Sequence, residues 1–135
     1  MAFQFRRPAS AFSLDPSGKK QKRLEDPKHL AFIRTLPCLI TGKYGVDACH
    51  IRYADPLYRK AGTPKARKPD DAWTVPMVRE KHDEQHSMEE RLFWRKYNMN
   101  PLEIAYALHE VSGDPSAAKK IIEIARKQSA QRRGI

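Results

Sequence analysis

The stretch WTVPMVREKHDEQH, residues 73–86, decides the fold, because a strand pattern passes directly into a helical one. Its first part is rich in residues that favour strands, and Pro76 places that strand at a sheet edge or a strand end. From about residue 79 to 97 the spacing is helical. His82 and His86 lie four residues apart, so a helix presents both imidazoles on one face, where they can bind one metal ion.

A hairpin is predicted upstream of this stretch. Residues 38–41 form a short strand pattern, the sequence GKYG at 42–45 is typical of a turn, and residues 46–52 alternate as a second strand. Successive side chains of a strand point to opposite faces. Cys49 and His50 are therefore expected to point apart, unless a bulge or the strand end turns one of them.

Three further helices are expected around these strands. Each begins at an acidic or amide residue followed by proline, which is a signature of a helix N-cap and first turn. These pairs are Asp26-Pro27, Asn100-Pro101 and Asp114-Pro115. We expect the first helix to end before Pro37, the second to end near Val111, and the last to give way to a basic tail from about Arg126.

The composition points to a polyanionic partner. The 135-residue chain has a net charge of +10 and a pI near 9.8. Its basic residues cluster in an N-terminal arm, in a long loop at 53–72 and at the C-terminal end. Nucleic acid is the commonest partner of such a chain.

The sequence also predicts where the chain works. No window is apolar enough to span a bilayer, and the N-terminus lacks the apolar core of a signal peptide. Two cysteines provide no disulfide framework, which favours a reducing cytoplasm.

Several short motifs, in this order and spacing, resemble the HNH endonucleases, also called ββα-metal or His-Me finger nucleases. The similarity is to short phage and prophage HNH proteins, including the RecA-dependent nuclease group, and covers about residues 36–97. The motifs are Pro37-Cys38, Ala48-Cys49-His50-Ile51, Lys68-Pro69-Asp70-Asp71, Thr74-Val75-Pro76-Met77 and His82-Asp83-Glu84-Gln85-His86.

The resemblance implies an α+β fold with a small ββα-metal core of hairpin, strand and metal-binding helix, with flanking helices and basic tails. The expected organisation has three parts. A flexible basic arm occupies residues 1–26, and a basic tail occupies residues 131–135. Between them lies a nuclease domain at 27–130, with its core at 36–97 and a helical extension at 100–130.

The same resemblance assigns roles to the histidines. His50 matches the general base that takes a proton from the attacking water, and His82 and His86 match ligands of one divalent metal ion: zinc, magnesium or manganese. Cys49 stands where relatives often carry a metal-binding histidine or aspartate. A thiolate ligand favours zinc or another transition metal over magnesium. The alternatives are that Cys49 is a small buried side chain, and that His82 and His86 belong to a polar helix face.

Relatives usually use an asparagine to orient the base, and none lies near the matching position, Trp73. Asp71 is our candidate for this role, through a hydrogen bond between an imidazole N–H and its carboxylate. Asp70 and Thr74 are weaker candidates. Asp71 could instead supply an oxygen ligand to the metal, and both aspartates could simply cap the turn after Pro69.

Many relatives also hold a structural zinc with four cysteine or histidine ligands. Here the first position is Cys38, while the others hold Thr41, Val78 and Lys81. One ligand cannot close a tetrahedral site. We therefore expect packing to replace this metal.

The expected function is hydrolysis of DNA phosphodiester bonds by a metal-dependent endonuclease with little sequence specificity. Contacts to the DNA backbone position the protein without reading bases. Their candidates are Arg52, Arg59, Lys60, Lys65, Arg67 and Lys68. The alternatives are a non-catalytic DNA-binding or recombination accessory protein on the same fold, and an RNase. The expected partners are DNA and a recombination protein, in the cytoplasm of a bacterium or a phage-infected host cell.

Overall fold

A computed structural model describes residues 24–53, 55–58, 60 and 70–132 of the chain. Within these residues the protein has the predicted α+β fold, with five α-helices and a two-stranded antiparallel sheet. Most of the predicted basic arm and basic loop, and the last three residues, lie outside the described residues.

The sheet and the helix that follows it form one continuous unit. In chain order the elements are α1 (Pro27–Ile33), β1 (Val46–His50), a 3₁₀ turn (Pro56–Tyr58), β2 (Thr74–Val78), α2 (Arg79–His86), α3 (Glu90–Lys96), α4 (Pro101–Glu110) and α5 (Pro115–Arg132). Val46 lies opposite Val78 and His50 opposite Thr74. Because α2 begins directly after β2, it runs back alongside β1.

The predicted helix starts of α1 and α4 are confirmed. The Asp26 carboxylate accepts a hydrogen bond from the backbone N–H of His29. Asn100 accepts from the N–H groups of Leu102 and Glu103. Each side chain satisfies backbone donors that a helix leaves without a partner in its first turn.

The predicted hairpin is wrong, because β1 pairs with β2 and residues 38–41 form a turn. Local hydrogen bonds hold this turn. The Cys38 carbonyl accepts from the N–H of Gly42 at 2.9 Å, and the Cys38 sulfur accepts from the N–H groups of Ile40 and Thr41. These bonds use groups that a strand ladder would otherwise need.

The single helix predicted from about Arg79 to Tyr97 is interrupted at residues 87–89. The hydroxyl of Ser87 donates to the carbonyl of Glu84 at 2.8 Å, and its backbone N–H donates to the carbonyls of Asp83 and Glu84. α3 then begins at Glu90. The break allows the Glu90 carboxylate to reach the end of β1.

The last helix continues through the segment predicted as a basic tail. The Ser129 hydroxyl donates to the Tyr97 carbonyl, and Arg132 donates to the Asn98 carbonyl at 3.1 Å. These contacts tie the end of α5 to the loop after α3. The basic side chains after Arg126 therefore extend from a helix as far as Arg132.

One hydrophobic core joins the sheet to the helices. Three aromatic residues, Trp73, Phe93 and Trp94, are all at most 2 % exposed. They pack with apolar side chains of both strands and of α1, α4 and α5. Among the helices of the described residues, none has the length and apolarity needed to cross a membrane.

Candidate functional site

His50 and Asp71 form a hydrogen-bonded pair beside the sheet. His50 is the last residue of β1, and Asp71 lies in the turn three residues before β2. The imidazole Nε2 is 2.8 Å from Oδ1 of the carboxylate, as the sequence predicted. The side chains of His50 and Asp71 are 16 % and 2 % exposed. A carboxylate at Nε2 favours the neutral tautomer with its proton there, which leaves the lone pair on Nδ1.

The Asp71 carboxylate is held in place from a second direction. Its Oδ2 accepts from the backbone N–H of Asp26 at 2.8 Å, and the backbone N–H of Asp71 donates to the Leu24 carbonyl at 3.1 Å. The Thr74 hydroxyl donates to the Asp71 carbonyl at 3.0 Å. The carboxylate that contacts His50 therefore has a fixed orientation.

The weaker candidates for orienting the base have other contacts. Asp70 Oδ1 accepts from the backbone N–H of Leu24 at 2.7 Å, and Thr74 contacts the Asp71 backbone. Both aspartates reach across to the segment before α1. The alternative in which their side chains only cap the turn after Pro69 leaves these long-range bonds unexplained.

His82 and His86 lie next to each other on α2. Their ring centroids are 4.7 Å apart. Burial lowers the pKa of His86, and the neighbouring His82 lowers it further. Neutral imidazoles are the form that binds metals, so this environment suits ligation.

Asp47 on β1 joins this pair, and the sequence interpretation had missed it. Its Oδ2 is 3.1 Å from Nδ1 of His82 and 3.0 Å from the Arg79 guanidinium. The alternation of β1 could have identified it. Asp47 and Cys49 are two residues apart and so share a strand face, the one that α2 covers.

Successive residues of β1 and of the segment after it contact successive residues of α2 and α3. His82 contacts Asp47, and Gln85 contacts Cys49. Further along, Glu90 accepts from the backbone N–H groups at 52 and 53. His50, the last residue of β1, instead contacts Asp71 in the turn before β2.

The donors around α2 fit a metal ion in part. In the described part of the chain, no three His, Cys, Asp or Glu side chains form a group that could hold a metal. His82 and His86 offer two imidazole nitrogens, and the Asp47 carboxylate contacts one of those rings. A carboxylate against one nitrogen of an imidazole fixes the ring so that its other nitrogen can bind a metal.

Cys49 occupies the buried position that the sequence left open as an alternative. It is 0 % exposed, and its thiol donates to Oε1 of Gln85 at 2.7 Å. Burial raises the pKa of this thiol, and the negative charges of Glu90 and Asp47 raise it further. A protonated thiol is a poor metal ligand, so Cys49 is left out of the metal site proposed below.

The sequence also did not identify Glu90 as a residue of the site. Its carboxylate accepts from the backbone N–H groups of Arg52 and Tyr53 and from Nε2 of Gln85, the last at 2.7 Å. Burial raises the pKa of Glu90, and the two backbone N–H groups oppose that shift. This carboxylate fixes the chain just after His50. Only a long-range contact of this kind reveals it.

The predicted phosphate contacts fall into three groups. Arg59, Lys65, Arg67 and Lys68 lie outside the described residues. Arg52 lies at the end of β1, and its charge is one cause of the lowered pKa of His86. Lys60 is only 6 % exposed, and its charge acts on the pKa of Glu90. A buried ammonium group does not present itself to a DNA backbone, so we leave Lys60 out of the proposed interface.

A family model described as "Protein of unknown function (DUF968)" matches residues 7–111, most of the chain. No curated protein and no solved structure matches it.

Proposed function

This chain belongs to the DUF968 family, and we propose that it is a metal-dependent endonuclease that hydrolyses DNA phosphodiester bonds. The contact of 2.8 Å between His50 Nε2 and the buried Asp71 carboxylate carries the proposal. Fixing one ring nitrogen against a carboxylate leaves the other suited to accept a proton. The antiparallel strands followed by a helix with two adjacent histidines support the same assignment.

In the proposed reaction His50 acts as the general base. Its Nδ1 takes a proton from water, the water oxygen forms a bond to phosphorus, and the bond from phosphorus to the leaving sugar oxygen breaks. That oxygen takes a proton from solvent. Asp71 holds the imidazole in the required orientation and stabilises its protonated form.

His82 and His86 would hold the divalent metal ion, and the Asp47 carboxylate against Nδ1 of His82 would orient that imidazole. A zinc, manganese or magnesium ion in such a site supplies Lewis-acid stabilisation of phosphate charge. The net charge of +10 supports DNA as the substrate, and the positive charges of Arg52 and Arg79 both act on His86 of the proposed site.

The test is nicking of supercoiled plasmid with Mg²⁺, Mn²⁺ or Zn²⁺ and with chelator. We expect nicking in at least one metal and none with chelator. His50→Ala should lower the rate by about 100-fold or more while leaving DNA affinity nearly unchanged, because a general base acts in the transition state. The control is His109→Ala, which removes a half-exposed imidazole that contacts Asp26.

Three outcomes would contradict the proposal. Nicking by His50→Ala at the parent rate would remove His50 from the reaction. Plasmid binding without nicking in all three metals would favour a non-catalytic DNA-binding or recombination accessory protein. Faster cleavage of RNA than of DNA with the same sequence would favour an RNase.

A further inference from the structure

An exposed aromatic side chain lies among basic residues in the turn before β1. Tyr44 is 61 % exposed and lies in the turn before β1. The Lys119 ammonium of α5 is 5.9 Å from the centroid of the Tyr44 ring. A cation at this distance from an aromatic face is favourable. Lys43, the preceding residue, is exposed as well.

Arg126 of α5 packs against the same turn. Gly42 has a positive φ of 77°, and a Cβ atom there would lie 2.7 Å from Nη1 of Arg126. The glycine therefore provides both the turn conformation and the space for the guanidinium. Lys119 and Arg126 are seven residues apart, which places them on one side of the helix at about 10 Å separation along its axis.

The charge of this region favours an anionic partner. α5 carries Lys119, Lys120, Arg126, Lys127 and Arg132 against one carboxylate, Glu123. Lys43 adds a further positive charge from the turn. Basic side chains that flank an exposed aromatic ring are the pattern with which proteins bind single-stranded nucleic acid, because the ring stacks on an unpaired base. Bases within a duplex stack on one another and are not accessible to such a ring.

We propose that Lys43, Tyr44, Lys119 and Arg126, the turn–helix surface, bind single-stranded DNA through stacking on Tyr44 and phosphate contacts from the three cations. This inference rests on the proposed function, since it names the strand class that the same enzyme takes. Tyr44 precedes Asp47 by three residues, about 10 Å of extended chain. A DNA strand bound to this surface therefore lies close to the Asp47 end of the proposed metal site.

The first experiment measures the affinity of the full chain for fluorescein-labelled dT20 and for a 20-base-pair duplex, by anisotropy with chelator present. Tyr44→Ala should weaken dT20 binding about tenfold, the loss expected for one stacked base. The same variant should change duplex binding much less. Tyr44→Phe keeps the ring and should bind dT20 as the parent does.

The second experiment removes charge. Lys119→Ala with Arg126→Ala should flatten the slope of log affinity for dT20 against log salt by about 1.4, because two phosphate contacts are lost. The matched control is Lys28→Ala with Arg34→Ala, which removes two exposed cations at α1. The control should keep the parent slope.

A third readout does not depend on affinity. Trp73 and Trp94 are each 2 % exposed, so Tyr44→Trp introduces an exposed indole. Its fluorescence should be quenched by dT20 and not by the duplex. Circular dichroism confirms that each variant is folded.

Parent affinity for dT20 in Tyr44→Ala, or equal losses for dT20 and duplex, would overturn the inference. So would a parent chain that binds vesicles containing phosphatidylserine but not dT20. Because all binding is measured with chelator and without cleavage, this result is separate from the nuclease test. If the chain binds dT20 selectively but never nicks DNA, the proposed binding surface is supported and the proposed endonuclease activity is rejected.

Discussion

The Asp71 carboxylate bridges two parts of the chain, with Oδ2 accepting from the backbone N–H of Asp26 and Oδ1 contacting His50, each at 2.8 Å. Asp26 is also the N-cap of α1, so the start of this helix is fixed to the turn that holds the proposed base. A parallel bond joins the Leu24 N–H to Asp70 at 2.7 Å. The orientation of His50 thus depends on residues more than twenty positions away along the chain.

Asp71→Asn should separate orientation from substrate binding. The amide keeps the shape of the side chain but loses its charge, and it can present an N–H group where Nε2 of His50 needs an acceptor. We expect the nicking rate to fall by about 100-fold or more, with little change in DNA affinity.

Asp70→Asn is the matched control for this prediction, because Asp70 is the adjacent aspartate and contacts Leu24. It should retain most of the activity. A parent nicking rate in Asp71→Asn would show that the carboxylate contributes only to the fold, and loss of DNA affinity would point to a role in substrate binding instead.

Metal affinity should depend on His82, His86 and Asp47. Isothermal titration of the full chain with Zn²⁺ or Mn²⁺ should show weaker binding in His82→Ala and His86→Ala, because each change removes one of two adjacent imidazoles. Asp47→Asn should weaken binding less than either, since the amide oxygen can still accept a hydrogen bond from the His82 ring.

The control for these variants is Asp83→Asn, an exposed aspartate of α2 that contacts Arg79. It removes one carboxylate charge, as Asp47→Asn does, from the helix that carries the two histidines, and it should leave metal affinity unchanged. If His82→Ala and His86→Ala both keep the parent affinity, the two histidines belong to a polar helix face.

The acid stability of the protein should depend on His29. This residue is 1 % exposed, and in the described structure its Nε2 is buried without a hydrogen-bond partner, while Nδ1 lies 2.8 Å from the Ser112 hydroxyl. Burial, together with the charge of His109, 4.7 Å away between ring centroids, lowers the pKa of His29 from 6.5 to about 4. In the folded protein His29 therefore stays neutral well below pH 6.

Between pH 6.5 and 4 the unfolded chain binds a proton at His29 that the folded chain does not. The free energy of unfolding should therefore fall as the pH falls through this range, by up to about 3 kcal/mol from this residue. Urea denaturation at several pH values measures this. His29→Gln should flatten the dependence, and His109→Gln should flatten it partly. If the free energy of unfolding of His29→Gln falls with pH as much as that of the parent, other titratable groups cause the fall.

Local signals in the sequence were sufficient for the helix starts, but not for the turn at residues 38–41 or for the break at residues 87–89. Asp26 and Asn100 cap their helices through bonds to residues two or three positions later, which a sequence pattern can indicate. The turn at Cys38 instead depends on hydrogen bonds to a sulfur acceptor. The break before Glu90 depends on a carboxylate that accepts hydrogen bonds from the backbone just after β1. Strand propensity and helical spacing carry no information about such contacts.

The residues of the candidate site were likewise predicted only in part. The HNH resemblance indicated His50 as the base, Asp71 was our candidate in place of the missing asparagine, and the contact between them is present at 2.8 Å. Asp47 and Glu90 were missed because their partners lie more than thirty residues away. For Cys49 the alternation of β1 left two alternatives open, and only the packing of α2 over that face distinguishes them.

Cys49→Ala tests whether the buried position of this cysteine excludes it from the metal site. The change removes the thiol that donates to Gln85 Oε1, which leaves a buried acceptor without that donor. We expect a loss of about 1–3 kcal/mol in the free energy of unfolding. Affinity for Zn²⁺ should be unchanged, because the thiol is fully buried and is bonded to Gln85. Cys38→Ala, at the other buried cysteine, is the control for the loss of a thiol. A marked drop in Zn²⁺ affinity in Cys49→Ala alone would return Cys49 to the metal site as a ligand.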